Sequence, residues 1–338
     1  MQGISIGVDA FGGDYAPENP VKGALLFAKE NPNVKIVLIG REGHIRALIK
    51  GKYPNVEVFD APEVIEMHEP PAMSVRRKKK SSIVVGAQLL KEKKIDAFVS
   101  AGNTGAVVSA ATLKARLLPG IERPGLAIVV PTLKGPTVMI DVGANIETKP
   151  SHLFQYAVMA EAYYKIMWPE SSNPKIGLLN IGEEESKGLE FHKKAIEMLK
   201  NSSLNFVGNV EGKHLYGGDC DIIIADGFVG NIALKISESV AEVVAKMFKQ
   251  EVKRSLLAKI GLFFMLPAFA RLKKRIDYEE YGGALLLGIN GICVIGHGRS
   301  NPKAIKSAIA VAVKELKGNI NERIIERISS DGKGGTDE

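Results

Sequence analysis

Short Val/Ile-rich runs with no polar residue at alternate positions recur along this 338-residue chain, and longer stretches of helical period separate them. A strand that is apolar on both faces belongs inside a sheet covered on both sides, so this alternation restricts the fold more than any motif does. It predicts strands at 4–9, 35–40, 56–60, 97–101, 126–131, 138–142, 176–181, 206–209, 222–226 and 291–296. Helices are expected at 20–30, 82–92, 103–117, 151–167, 187–200, 231–254 and 302–317. The fold class that follows is a three-layer α/β protein with a mostly parallel sheet. No internal repeat or Pro/Gly/Ser linker divides it, so residues 1–330 are expected to form one domain, with a polar, Gly-rich tail at 331–338 that frays.

Hydrophobic residues at 45 % and charged residues at 25 % exclude a disordered, collagenous or multi-span membrane chain. Cys220 and Cys293 lie in no CxxC or His-rich setting and read as buried free thiols of a reducing compartment. The six histidines show no metal-ligand spacing, so no metal is expected. The first residues carry no basic, apolar and cleavage-site pattern, which places the expected mature start at residue 1 and the protein in the cytoplasm.

The formal charge of +7 is unevenly spread. Residues 246–275 carry +8 and residues 76–80 (RRKKK) carry +5, leaving the rest at −6. Two basic patches on an acidic body suit a localised anionic partner (a phosphate, an acidic protein or a lipid surface) and not a nucleic-acid binder. Inside the first patch, 260–270 reads IGLFFMLPAFA, eleven residues without a charge. A bilayer span takes about 20 residues. The segment is therefore either a buried helix or an apolar tip, broken at Pro267, that dips into a membrane interface or a partner groove. Leu262, Phe263, Phe264, Met265, Leu266 and Phe269 would make that contact, within a helical extension over 246–280.

Ligands of doubly wound folds bind beyond the carboxyl ends of the strands. Five of those ends carry glycine with Asn, Asp or Thr: 9–14, 102–106, 143–145, 182–185 and 227–231. Glycine lets a ligand approach the backbone, and free amides at a helix start attract anions. Five such ends suggest a shared cleft. GxGxxG, GxxxxGK[ST] and GxSxG are all missing, so no nucleotide cofactor and no serine nucleophile are expected. An anion that is itself the nucleophile needs neither.

Taken together, 9–14 (DAFGGD), Ser81-Ser82, 100–106 (SAGNTGA), 121–124 (IERP), 141–145 (DVGAN), 178–184 (LLNIGEE), 208–212 (GNVEG), 226–231 (DGFVGN), 281–287 (YGGALLL) and His297-Gly298 resemble the bacterial phosphate acyltransferases of phospholipid synthesis. The resemblance runs from about residue 4 to residue 328. It implies a fold like the isocitrate/isopropylmalate dehydrogenases and phosphotransacetylase, a homodimer, and peripheral association with an anionic membrane. The implied reaction joins inorganic phosphate to a long-chain acyl group taken from acyl carrier protein, and the acyl phosphate passes to a membrane glycerol-3-phosphate acyltransferase. A short-chain phosphotransacetylase using coenzyme A is the alternative.

On that reading phosphate lies on the amides of Gly102, Asn103, Thr104 and Gly105, with the Asn103 and Thr104 side chains as donors. Asp226, Gly227, Asn231 and Lys235 form an opposite wall, and Asn145 and Asn180 donate to the thioester oxygen. His297 positions phosphate or protonates the leaving thiolate, and Arg76, Arg77 and Arg123 contact phosphate or the carrier protein. Asp9 and Asp14 order their glycine turn. Structural turns, helix caps and surface charges are the competing readings of the same residues.

Overall fold

The computed structural model describes residues 3–276 and 282–331. Eleven strands among them form one sheet: β1 (Ser5–Asp9), β2 (Lys35–Gly40), β3 (Val56–Asp60), β4 (Ala97–Ser100), β5 (Gly125–Pro131), β6 (Pro136–Ile140), β7 (Ile176–Leu179), β8 (Phe206–Val210), β9 (Ile222–Ile224), β10 (Ala284–Leu287) and β11 (Ile292–Ile295). Their order is β3-β2-β1-β4-β11-β10-β5-β6-β9-β7-β8. The strands from β3 to β11 are parallel, and so are β6, β9, β7 and β8. Between the two sets, β10 runs antiparallel to β11 and β5, and β5 runs antiparallel to β6.

The two parallel halves therefore point in opposite directions. This corrects the expectation of five strand ends lined up on one cleft: the ends of β1, β4 and β11 form one group, and those of β6, β7 and β9 form another. All ten expected strands are present, and β10 is additional.

The helices are α1 (Glu18–Glu30), α2 (Glu42–Leu48), α3 (Pro71–Arg77), α4 (Ser82–Lys91), α5 (Thr104–Lys114), α6 (Pro150–Met167), α7 (Glu190–Lys200), α8 (His214–Gly217), α9 (Gly227–Arg254), α10 (Leu256–Ile276), α11 (Pro302–Gly318) and α12 (Ile320–Asp331). One sheet face packs Ile6, Leu38, Ile140 and Leu287 against Tyr156, Tyr163 and Ile309 from α6 and α11. The other packs Phe98, Met139, Leu286 and Ile295 against Ile83 and Val107 from α4 and α5, with Ala233 and Leu234 of α9 beside them. β1 is buried along its whole length, which is why its sequence is apolar without alternation.

Only Gly227 and Gly230 of α9 are buried. The helix then leaves the body, and α10 returns along it, with the Phe248 and Phe269 ring centroids 5.1 Å apart. Ser255 breaks the two helices in extended backbone and caps α10, its hydroxyl accepting the Ala258 amide at 3.2 Å.

Within this single chain most of 260–270 is exposed. Phe263 is 68 % and Phe264 76 % exposed, Met265 and Leu266 are exposed too, and Leu262 and Phe269 are half-buried. Helix α10 also continues through Pro267. No helix among the described residues is long and apolar enough to cross a membrane. The tail expected to fray lies, after Asp331, outside the described residues, as do 277–280 of the expected extension.

Candidate functional site

Two turns, one in each half of the sheet, are organised around a buried aspartate. In the first, Asp9 at the end of β1 is 1 % exposed. Its Oδ2 accepts the Ser100 hydroxyl at 2.7 Å and its Oδ1 accepts the Phe11 amide at 3.0 Å, with Ser82 and the Gly12 amide as further donors. Burial raises the Asp9 pKa, and these donors oppose the rise. Asp9 thus orders the glycine turn, as its sequence position suggests.

Gly12 has no room for a side chain: a Cβ would lie 2.6 Å from the Gly102 nitrogen. The next residue, Gly13, needs φ +103°, a conformation that L residues with side chains rarely adopt. Asp14 then donates its amide to the Gly298 carbonyl at 2.7 Å, which draws in the loop after β11.

Ser100 extends this network by accepting the Gly102 amide at 3.1 Å. Asn103, 7 % exposed, caps α5: its Oδ1 accepts the Ala106 amide at 3.1 Å. Its Nδ2 donates to the carbonyls of Glu66, Met67 and Glu69 at 3.4, 3.0 and 3.1 Å. The side chain of Asn103 and the amide of Gly102 are therefore engaged inside the protein, which corrects their reading as phosphate donors.

Thr104 and Gly105 open α5, so their amides have no carbonyl one turn back to bond, and Thr104 is exposed. Basic residues follow on α3, the helix that packs against this start. Arg76 and Arg77 stand exposed in the last turn of α3, whose first residue, Pro71, lies where a Gly105 Cβ would be. Beside them Lys78 pairs with Glu69, whose pKa its ammonium draws down to about 2.

Half-buried His297 accepts the Arg299 amide on Nδ1 at 3.1 Å, so its neutral ring carries the proton on Nε2. Arg299 itself is exposed and near enough to Glu242 of α9 to help Lys246 lower that carboxyl's pKa. The sequence reading missed Arg299, although it directly follows the His297-Gly298 pair.

The second turn follows β6. Asp141 is fully buried; its Oδ1 accepts the amides of Leu126, Gly143 and Ala144 at 3.0, 3.0 and 2.8 Å, and its Oδ2 accepts that of Asn145 at 2.9 Å. Burial raises its pKa against these donors. Asn145 Nδ2 donates to Asp141, to the Pro124 carbonyl and to the Tyr156 hydroxyl. Asn180 Nδ2 donates to the Lys187 carbonyl and to Asn209, while its Oδ1 accepts the Ile181 amide. Neither asparagine presents an amide donor to a thioester, which corrects both readings.

Helix α9 fills the space beside this turn. A Cβ on Gly227 would lie 2.1 Å from the Asn145 carbonyl oxygen, and one on Gly230 would lie 2.0 Å from that of Asp141. Gly227 is thus a packing glycine between carbonyl and carboxylate oxygens and no phosphate seat. Asp226 caps α9 through the Phe228 and Val229 amides. Burial opposes its ionisation, but those amides and His192 at 3.8 Å outweigh burial and its pKa falls. Asn231 rests exposed against Gly143, Lys235 faces Glu238 at 3.3 Å in solvent, and Arg123 is exposed near Tyr156 and His152.

The sequence model of the family described as fatty acid synthesis protein matches residues 4–323. The chain belongs to this family. Among the similar relatives, the phosphate acyltransferase of Pelotomaculum thermopropionicum is 47 % identical over 337 residues, 98 % of each chain. That of Dictyoglomus turgidum is 46 % identical over 331 residues, 96 % of this chain and 98 % of the relative.

Among solved structures, a phosphotransacetylase from Streptococcus pyogenes superposes with a TM-score of 0.61 at 17 % identity, covering 93 % of this chain and 94 % of that one. A 4-hydroxythreonine-4-phosphate dehydrogenase from Klebsiella pneumoniae gives 0.52 at 13 %, covering 95 % and 100 %. These likenesses show that the chain has the fold expected from sequence.

Proposed function

We propose that this chain is a phosphate acyltransferase that moves a fatty acyl group from acyl carrier protein to inorganic phosphate. The observation that carries the reading is the open first turn of α5, whose Thr104 and Gly105 amides have no helical acceptor. Phosphate is held on the Thr104 and Gly105 amides. One of its oxygens attacks the thioester carbonyl carbon, the carbon–sulfur bond breaks, and the thiolate leaves with a proton from solvent. The Nε2–H of His297 orients phosphate, and Asn103 holds the amides in place without touching the reactant. A preorganised donor of this kind contributes about 3 kcal/mol to lowering a barrier. No side chain carries the acyl group, and no metal or organic cofactor is needed.

The basic faces at Arg76 and Arg77, and around Lys253 and Arg254, suit an acidic carrier protein and an anionic membrane. Each Lys or Arg near such a membrane contributes about 1 kcal/mol. The exposed stripe of Ile232, Ile236, Val240, Val243 and Met247 repeats every three or four residues, as a helix-pairing seam does, and supports a homodimer through α9. The exposed flank from Leu262 to Leu266 supports peripheral contact with the cytoplasmic membrane, where acyl phosphate would reach a glycerol-3-phosphate acyltransferase.

Hydroxamate trapping of acyl phosphate tests the activity. Palmitoyl-carrier protein with phosphate should give trapped product; turnover of acetyl-CoA alone would favour a short-chain enzyme. Replacing Phe263 and Phe264 by Glu should abolish sedimentation with anionic vesicles while keeping soluble turnover within about twofold; unchanged sedimentation would remove the membrane role.

A further inference from the structure

Between β3 and α3, residues 66–69 form a turn outside any strand or helix that lies against the cap of α5. The Glu69 amide donates to the Glu66 carbonyl at 3.2 Å, and the Glu66 amide donates to the Glu69 carboxylate at 3.0 Å. Buried Ile65 roots the turn at one end, and Pro70 and Pro71 stiffen its exit into α3 at the other. All three carbonyls that Asn103 holds, those of Glu66, Met67 and Glu69, belong to it. The Met67 side chain reaches on to the loop after β11, where a Cβ on Gly298 would lie 2.9 Å from its Cε. Residues 66–71 thus meet α5 at both Asn103 and Gly105 and also touch the His297-Gly298 loop.

One carboxylate holds this turn closed. Glu69 Oε1 accepts the Glu66 amide and the Lys78 ammonium, and its Oε2 accepts the hydroxyl of buried Ser74 at 2.8 Å. Lys78 also donates to the Val64 carbonyl at 2.7 Å, which ties the far side of the same segment. A negative charge on the segment that grips the cap of an anion site would repel the anion, and Lys78 offsets it at hydrogen-bond range.

We propose that Glu69 is a positioning residue of the phosphate site: it fixes the 66–69 turn, the turn fixes Asn103, and Asn103 aims the Thr104 and Gly105 amides. The proposal rests on the phosphate seat of the acyl-transfer reading and adds what keeps that seat in shape. Glu69 itself touches no reactant. Lys78 has a second task, which is to neutralise it.

The test measures binding of inorganic phosphate by calorimetry, beside steady-state kinetics, in wild type, Glu69→Gln, Lys78→Met and the double variant. Glu69→Gln should weaken phosphate binding about tenfold, as the amides lose their aim, and leave the KM for acyl-carrier protein within about twofold. Lys78→Met should weaken it about threefold further, because it leaves the carboxylate unneutralised, and about 0.5 M salt should narrow that gap. Adding Glu69→Gln to Lys78→Met should bring affinity back to the Glu69→Gln value, a rescue that loss of packing alone would not produce. Equal phosphate affinity in all four proteins, with only the melting temperature lowered, overturns the proposal, and so does a double variant weaker than Lys78→Met. Ser74→Ala guards against variants that fail to fold: it removes one neutral bond to the same carboxylate and should weaken phosphate about twofold. Unchanged affinity there counts against Glu69 as well. A wild type that binds phosphate but makes no acyl phosphate defeats the acyl-transfer reading alone, and the ranking of affinities still decides the role of Glu69.

Discussion

The turns around Asp9 and Asp141 use one device and reach opposite ends. Both carboxylates are buried at or just after the end of a strand, and both gather the amides of the glycine turn that follows. After Asp9 the chain leads the loops toward a helix start that stays open. After Asp141 the space is closed by α9, whose two glycines press against carbonyl oxygens. A glycine turn held by an aspartate is therefore a scaffold, and what packs against it decides whether it can receive an anion.

The sharpest way to break this contrast is to crowd each turn. Gly230→Ala should destabilise the protein by about 3 kcal/mol, because its Cβ meets backbone that has nowhere to move. Gly105→Ala meets only the edge of the Pro71 ring and should cost about 1 kcal/mol in thermal unfolding. Equal losses would mean that α9 does not plug the second turn.

Neutralising the clamps separates structure from binding. Asp141→Asn and Asp9→Asn should each cost about 2 kcal/mol, since an amide replaces an acceptor of several buried donors. Only the Asp9 variant should also raise the KM for phosphate. A comparable rise in the Asp141 variant would erase the functional distinction between the turns.

Asn103→Ala removes a helix cap worth about 1 kcal/mol and frees the 66–69 loop from the start of α5. The KM for phosphate should rise about tenfold as the amides lose their fixed aim. An unchanged KM, with only the stability loss, would leave Asn103 a cap and nothing more.

Glu315 supplies a smaller, control effect. It is fully buried in α11, and among the described residues neither carboxyl oxygen has a partner, in contrast to both aspartates. Burial raises its pKa to about 8, with Lys314 and Arg323 opposing, and Tyr163 facing it from α6. A folded pKa above the unfolded one means that its stabilising effect is complete below about pH 4.5 and is lost as pH rises through about 8. Glu315→Gln should flatten the fall in melting temperature between pH 5 and 8, and an identical slope in both proteins would contradict this.

Ten strands and most of the longer helices were legible, because a buried strand is a continuous apolar run and a helix keeps a longer period; α2, α3, α8 and α12 were not expected. Strand direction was not legible, since an apolar run reads the same whichever way it points. The four residues of β10 sit in a hairpin with β11 that no local signal separates from a crossover. At the site, the 102–105 turn was legible as a helix start. What occupies its donors was not: Asn103 is satisfied from Met67 and Glu69, and Asp9 from Ser100, far away in sequence. Asn145 and Asn180 misled for the same reason. An asparagine after a strand looks identical whether it faces a substrate or a neighbouring carbonyl.

The most direct test is a crystal structure with phosphate bound at a concentration near its KM. The account predicts density on the Thr104 and Gly105 amides, within reach of His297 and Arg299, and none beside Gly227. Phosphate seated at the start of α9, with the α5 turn empty, would contradict it.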